Sequence, residues 1–201
     1  MRKSRLWYAL IGVVPLVYAP PADLVFALSP ASRLEVKTGK AGLLGFAGHE
    51  HLIRARAFSG HIVYRPDAPD SSRVDVLVLT DSLEVLTPPD TEEIRKVTAA
   101  MRTEVLDVAR YPEIRLQSRT VTVRAGTAHM LAALTMHGET HDVPVDVQFE
   151  MSADTLRATT TFVVKQTAFG IRPFRGGPGG TVRVADNVTF DIRIVAIRTN
   201  P

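Results

Sequence analysis

Residues 88–118 read PPDTEEIRKVTAAMRTEVLDVARYPEIRLQS, and the rest of the chain is parsed from this stretch. Pro88 and Pro89 close whatever precedes them. Asp90 is placed to cap a helix, and Glu93, three positions on, completes a capping box. Ile94, Val97, Met101 and Val105 recur at three- and four-residue steps and form one apolar stripe. Tyr111-Pro112 is the expected stop, because a residue before proline is driven toward extended backbone. The helical period then gives way to a period of two, with Ile114, Leu116 and Ser118 on one face and Arg115, Gln117 and Arg119 on the other. A single helix set among alternating segments predicts a lid or plug on a sheet closed upon itself.

Downstream the alternation is regular. Thr120 to Arg124 continues the strand and Ala125-Gly126-Thr127 turns the chain. Met130, Ala132, Leu134 and Met136 then share a face, and HGETH at 137–141 forms a hairpin around Gly138. Val143, Val145, Val147 and Phe149 alternate with Asp142, Pro144, Asp146 and Gln148, apolar on one side and wet on the other. Ser152-Ala153-Asp154 turns again, and Leu156, Ala158, Thr160, Phe162 and Val164 return. The glycine-rich FGIRPFRGGPGG reads as a long loop, and Val182 to Ile197, turning near Asp186-Asn187, as a last strand pair.

Upstream, Leu24 to Lys40 reads as a first strand region. GKAGLLGFAGHEH at 39–51 reads as a bent or bulged segment. Ile62 and Tyr64 belong to the next strand, which DAPDSS closes. In Arg73 to Val85, Val74, Val76 and Val78 share one face while Leu77 and Leu79 occupy the other, so this strand is expected to be covered on both sides. The reading is all-β: about eight antiparallel strands with one helical insertion. An up-and-down barrel of that number has an interior that side chains fill or that holds one small ligand. The competing architecture is a two-layer sandwich; the succession of hairpins favours the barrel.

The N-terminus carries Arg2, Lys3 and Arg5, then the apolar run LWYALIGVVPLVYA, then small residues. This is the pattern of a secretory signal peptide over residues 1–22, with Ala19, Ala22 or Ala27 at the junction and a barrel domain over 23–201. An uncleaved anchor is the alternative. The full chain has 24 Lys and Arg against 21 Asp and Glu, and the first 22 residues hold three of the basic side chains and none of the acidic ones. A mature chain thus carries balanced charge, which gives nucleic acid nothing to bind. There is no cysteine.

The run MRTEVLDVARYPEIRLQS from Met101, in which a helix leads to Tyr-Pro and then a strand ending in serine, resembles the segment that marks the YceI-like family. ALSPASRLEV at 27–36, Phe58-Ser59-Gly60, LTMHGETHDVPVDV at 134–147, Phe169 to Ile171 and DNVTFDIRI at 186–194 follow in the order that family shows. The resemblance covers about Leu24 to the end. It implies a lipocalin-like eight-stranded barrel in the bacterial periplasm or outside the cell, holding an isoprenoid chain of polyprenyl or quinone type in an apolar tunnel, as a binding protein and not an enzyme. GFAGHEHLIRA at 45–55 departs from the family's more usual valine-histidine segment there, at the expected mouth.

Parity selects the lining. Ile114, Leu116, Met130, Leu134, Met136, Val145, Val147, Phe149, Phe162 and Val164 are expected to face inward, and methionine and phenylalanine suit a flexible apolar chain. Phe46, Met101, Leu106 and Tyr111 are assigned to the mouth, and His49, His51, Arg172 and Arg175 to a ligand headgroup. His49 and His51 also stand two apart, so on a strand both imidazoles face one ion; His61, His129, His137 and His141 are the other histidines. A metal- or haem-linked protein built on that pair is the second reading, and a ligand-free structural or stress-response module the third. His137 and His141 flank a hairpin and are expected in solvent. Asp142 beside His141 is no catalytic pair, since adjacent strand residues point to opposite faces. Neither a nucleophile elbow nor a phosphate-binding loop is present. No cofactor is implied, and the expected partners are an isoprenoid lipid or quinone and, transiently, a membrane.

Overall fold

The structure is a computed structural model that describes residues 22–41, 50–87, 91–176 and 182–199. Its strands are β1 (Leu24–Leu28), β2 (Arg33–Ala41), β3 (Leu52–Ala55), β4 (Phe58–Tyr64), β5 (Arg73–Leu79), β6 (Leu83–Val85), β7 (Glu113–Arg124), β8 (Thr127–Met136), β9 (Glu139–Met151), β10 (Thr155–Lys165), β11 (Arg175–Gly176) and β12 (Val182–Arg198), with one helix, α1 (Thr91–Ala100). All pairings are antiparallel. They run β1-β4-β5-β7-β8-β9-β10-β12, and β12 pairs back onto β1, so the sheet closes into the expected eight-stranded barrel and not a sandwich. β2, β3 and β6 prolong β1, β4 and β5 beyond a break in each, and β2-β3-β6 pair in the same order.

Serines stitch the breaks. At the first, the buried Ser32 hydroxyl donates to Val195 O and accepts from Val195 N–H, both at 3.0 Å, replacing a rung that the turn removes from the ladder. At the others, Ser82 Oγ accepts from Ala57 N–H (2.9 Å) and donates to Leu79 O (2.7 Å). Buried backbone groups need partners, and here side chains supply them where strands cannot. The hairpins at Ala125–Gly126 and His137–Gly138 have positive φ at both central residues, 44°/81° and 51°/82°. That is the turn that matches strand twist. A Cβ on Gly138 would also stand 2.8 Å from Tyr111 Cε1.

Three expectations change. The helix ends at Ala100 and passes into a π turn over Met101–Val105, where Leu106 N–H reaches back to Met101 O (2.9 Å). Asp107, at φ 43°, breaks it there, before Tyr111-Pro112 is reached. Asp90 and its capping box lie outside the described residues. Val182 to Ile197 belongs to one continuous strand, because Asp186-Asn187 forms a bulge and not a turn: Val184 pairs with Lys40 but Val188 with Thr38. β5 is only partly covered on its outer face, where Leu77 is half-buried and Leu79 is 41 % exposed.

The barrel has two unlike ends. Near the termini it is sealed by Phe26, Leu156, Ala158 and Ala196, with the Tyr64 and Phe149 rings, 6.3 Å apart, packed against them. At the other end lie α1, the β8–β9 hairpin and the 3₁₀ turn Gln166–Phe169.

Candidate functional site: an apolar hollow beneath the helix

Between floor and helix the barrel holds a cavity of about 620 Å³ that is open in part to solvent. That falls within the roughly 300–1,000 Å³ typical of small-molecule sites. Its wall is built by period-two alternation: Leu34 and Val36 from β2, Val74, Val76 and Val78 from β5, Ile114 and Leu116 from β7, Met130, Leu134 and Met136 from β8, Val145 and Val147 from β9, Phe162 from β10, and Phe190, Ile192 and Ile194 from β12. Many of these inward side chains, Val74, Val76, Ile114, Leu116, Phe162 and Phe190 among them, are only half-buried although they face the barrel interior. Their exposed area looks into the hollow, so they do not meet one another. Phe162 and Phe190 stack in parallel at 4.8 Å and give one wall a flat aromatic plate.

The roof is α1 and the π turn. Val97, Met101, Val105 and Leu106 face the hollow, continuing the stripe read from the sequence, and Met101 is buried. The helix is held where the ladder has run out. β7 begins only at Glu113, opposite Leu79, so β6 has β3 on one edge and no strand on the other. Thr98 Oγ1 accepts from Val85 N–H (3.2 Å), and Arg102 donates to Leu83 O from Nε (3.1 Å) and Nη2 (3.0 Å). Helix side chains thus stand in for the absent strand.

Polar groups border the hollow: Thr38, His51, Glu93, Lys96, Gln166 and Arg183 toward the helical end, with Thr159 and Thr160 on β10. His51 Nδ1 lies 2.8 Å from Thr87 O, and Lys96 pairs with Glu92 one helical turn away (2.7 Å). Buried Gln166 donates from Nε2 to Ala185 O, a carbonyl freed by the β12 bulge (2.8 Å). Among the described residues no three His, Cys, Asp or Glu side chains come together as a metal would require. Chemically the arrangement can take a long apolar body into the barrel and leave a polar end among these groups.

Of the lining read from parity, Ile114, Leu116, Met130, Leu134, Met136, Val145, Val147 and Phe162 border the cavity, as do Met101 and Leu106 of the mouth group and His51 of the headgroup set. Phe149 faces inward but belongs to the floor, against Tyr64, and Val164 is packed with Phe169 and Val188 and does not reach the hollow. Parity tells face, not height along the barrel. Tyr111 stands outside the cavity, its ring 4.1 Å from that of His137. Arg172 and Arg175 are exposed and off the wall; Arg183 and Lys96 border it instead. Phe46 and His49 lie outside the described residues, and His51 precedes β3 and is not in a strand. His61, His129 and His141 are exposed, with His129 Nδ1 paired to Asp146 (2.7 Å) and His141 edge-on to Phe169. Sequence reading missed the half of the wall supplied by β2, β5 and β12, although Val74-Val76-Val78 and Phe190-Ile192-Ile194 alternate as cleanly as the half it found.

A closed antiparallel barrel with a sealed floor, an apolar hollow and a helical roof defines a lipocalin-like binding barrel. The YceI-like domain profile matches residues 32–196, and the chain belongs to that family, a family of binding proteins and not of enzymes. Among solved structures it is similar to BcnA of Burkholderia cenocepacia, at 16% identity and TM-score 0.66 over 84% of this chain and 98% of that one. It is also similar to the YCEI protein of Campylobacter jejuni, at 14% identity and TM-score 0.58 over 74% and 85%. At such identity the likeness is one of fold. Comparison with curated proteins finds no match.

Proposed function

We propose that this protein is a periplasmic or secreted carrier that holds an isoprenoid lipid, of polyprenyl or quinone type, in the barrel interior. The observation that carries the reading is the predominantly apolar wall around a hollow of about 620 Å³, in which the charged side chains stand only at the border and Thr160, its hydroxyl bonded to Asp146 O, is a polar residue of the β10 wall. Apolar surface taken from water stabilises a complex by about 25 cal/mol per Å². A charged group pushed deep into such a wall would find no countercharge and cost several times what a hydrogen bond contributes, so the guest's polar end belongs beside Lys96, Arg183 and His51. Binding of this kind calls for no reaction. Export is supported by the charged and apolar pattern of residues 1–22, and carriage implies that the barrel exchanges its guest transiently with a membrane.

Organic extraction of the purified protein followed by mass spectrometry tests the proposal, together with titration by a short-chain quinone. The expected result is one isoprenoid per chain and saturable uptake by delipidated protein. Recovery of protein with no apolar guest and no uptake would overturn it.

A further inference from the structure

The barrel wall is split on one side. β9 and β10 pair only from Leu156 opposite Met151 to Thr160 opposite Val147. Toward the helical end each then continues with a partner on its far edge alone, β9 with β8 as far as Glu139 and β10 with β12 as far as Lys165. The sequence explains where the ladder stops. Thr160 Oγ1 donates to Asp146 O (2.6 Å), so that carbonyl points toward β10. Pro144, two residues along, turns the same edge to β10 and has no N–H to offer.

The split is covered by the 3₁₀ turn Gln166–Phe169. Phe169 is 1 % exposed and Ile171 3 %, and both pack with Val143, Val145 and Val164 from the two parted strands. The Phe169 ring meets His141 of β9 edge-on at 5.0 Å. The turn is fastened on the other side. Asp186 of β12 accepts from Thr167 N–H (2.9 Å) and Thr167 Oγ1–H (2.8 Å), and Gln166 donates to Ala185 O. Its hydrogen bonds therefore run to β12 and within the turn, while β9 is met by packing and a ring edge. Gly170, at φ 67°, is the left-handed joint just beyond Phe169. Inside, Thr160, Gln166 and Ile171 border the hollow; outside, Leu131, Pro144 and Val163 are exposed, Val163 at 57 %, beside the split.

We propose that this seam is a side door: the turn swings away from β9 on its β12 fastening, Phe169 leaves its place, and an extended apolar chain passes between β9 and β10 into the hollow. The inference rests on the carrier reading above. It differs from passage under the helix, where α1 is bonded directly to β6, because the door breaks no strand ladder and no hydrogen bond to β9.

All-trans retinol, a fluorescent isoprenoid, serves as the probe, loaded into delipidated full-length protein by stopped flow. Phe169→Ala is expected to speed both loading and release on the order of tenfold while the equilibrium constant moves less than either rate, as removal of a gate requires. Thr167→Val with Asp186→Asn loosens the same turn without deleting core atoms and is expected to act in the same direction, which decides the matter should Phe169→Ala not fold. Met101→Ala tests the route under the helix. Rates unchanged by the turn variants but raised by Met101→Ala overturn the door and leave the carrier standing. Absence of retinol uptake by the unmodified protein, with quinone uptake also absent, removes the carrier reading and the door with it.

Discussion

Replacing Val76 by phenylalanine should leave this protein as stable as before, or more so, while blunting its capacity for a guest. Val76 stands mid-wall on β5 between Gly60 of β4 and Leu116 of β7, with its side chain turned into the hollow. In a filled interior the same change overpacks, and overpacking costs about 1–3 kcal/mol. Here the ring has somewhere to go. The cavity of about 620 Å³ is roughly twenty times the ~30 Å³ one water takes in the liquid. The added carbons contribute at most about 0.8 kcal/mol each, near 3 in total. Immobilising the ring costs roughly 1 of that, and incomplete burial removes more, so the net expectation lies between about 0 and +2 kcal/mol. The guest loses what the ring takes: two displaced methylenes amount to about 1.6 kcal/mol, somewhat more than tenfold in Kd. Urea unfolding and retinol titration of the same preparation read both quantities. Destabilisation by about 2 kcal/mol or more with unaltered titration would mean that the side chains already meet, and the hollow would be refuted.

Gly138→Ala puts a side chain at φ 82°, 2.8 Å from the Tyr111 ring. The expected loss is about 1–2 kcal/mol from backbone strain, with more from the clash, read by thermal unfolding. Arg102→Ala leaves Leu83 O without its charged donor, and should cost about 1.5–3 kcal/mol and raise hydrogen exchange in α1 before the barrel strands follow. For pH, Arg115 beside Asp75, the Thr167 backbone N–H at Asp186 and Lys37 at Asp191 each hold a carboxyl below its ordinary value of 3.8. Such groups contribute stability that is complete above the unfolded pKa and lost as pH falls through the lower folded one; urea midpoints should therefore stay level for these groups from neutrality to about pH 5 and decline below about pH 4. The proposed export predicts a mature N-terminus, read by intact mass, ahead of Leu24, because Phe26 is fully buried and β1 pairs with both β4 and β12; a start at Leu28 would count against the barrel as described.

What was legible in the sequence follows from how local its causes are. The apolar stripe from Ile94 to Val105, of which Val97, Met101 and Val105 face the hollow and Ile94 does not border it, the turns at Gly126 and Gly138, and the alternation from Met130 to Val147 depend on neighbours three or four residues away. Depth along the barrel does not. Phe149 and Val164 have the correct parity, yet one lies in the floor and the other under the 3₁₀ turn, because height is set by register with strands distant in the chain. Asp186-Asn187 carries the composition of a turn. It forms a bulge because β2 offers partners on both sides of it, at Lys40 and again at Thr38. The cation at the hollow's border depends on register in the same way: Arg183 lies on β12 past its bulge and borders the hollow, while Arg175 of β11, its cross-strand partner, and Arg172 do not.

Why the barrel stays hollow is a question of side-chain size against a circumference that the backbone sets. Closure through β12 and β1 fixes the ladder at eight strands, a width that large side chains fill and small ones do not. The floor has Phe26, Tyr64 and Phe149 and is closed. Above it, β5 presents Val74, Val76 and Val78, too short to reach the wall opposite, and the gap between them is the cavity. The strands cannot move inward to close it without giving up hydrogen bonds, and each buried N–H or C=O left unpaired costs about 1–3 kcal/mol. A void lined by apolar atoms forfeits dispersion contacts, which a guest restores without disturbing the ladder. Ligand-linked stabilisation should therefore appear chiefly where the ladder is absent, at the α1 roof and the Gln166–Phe169 turn, and little in the paired walls.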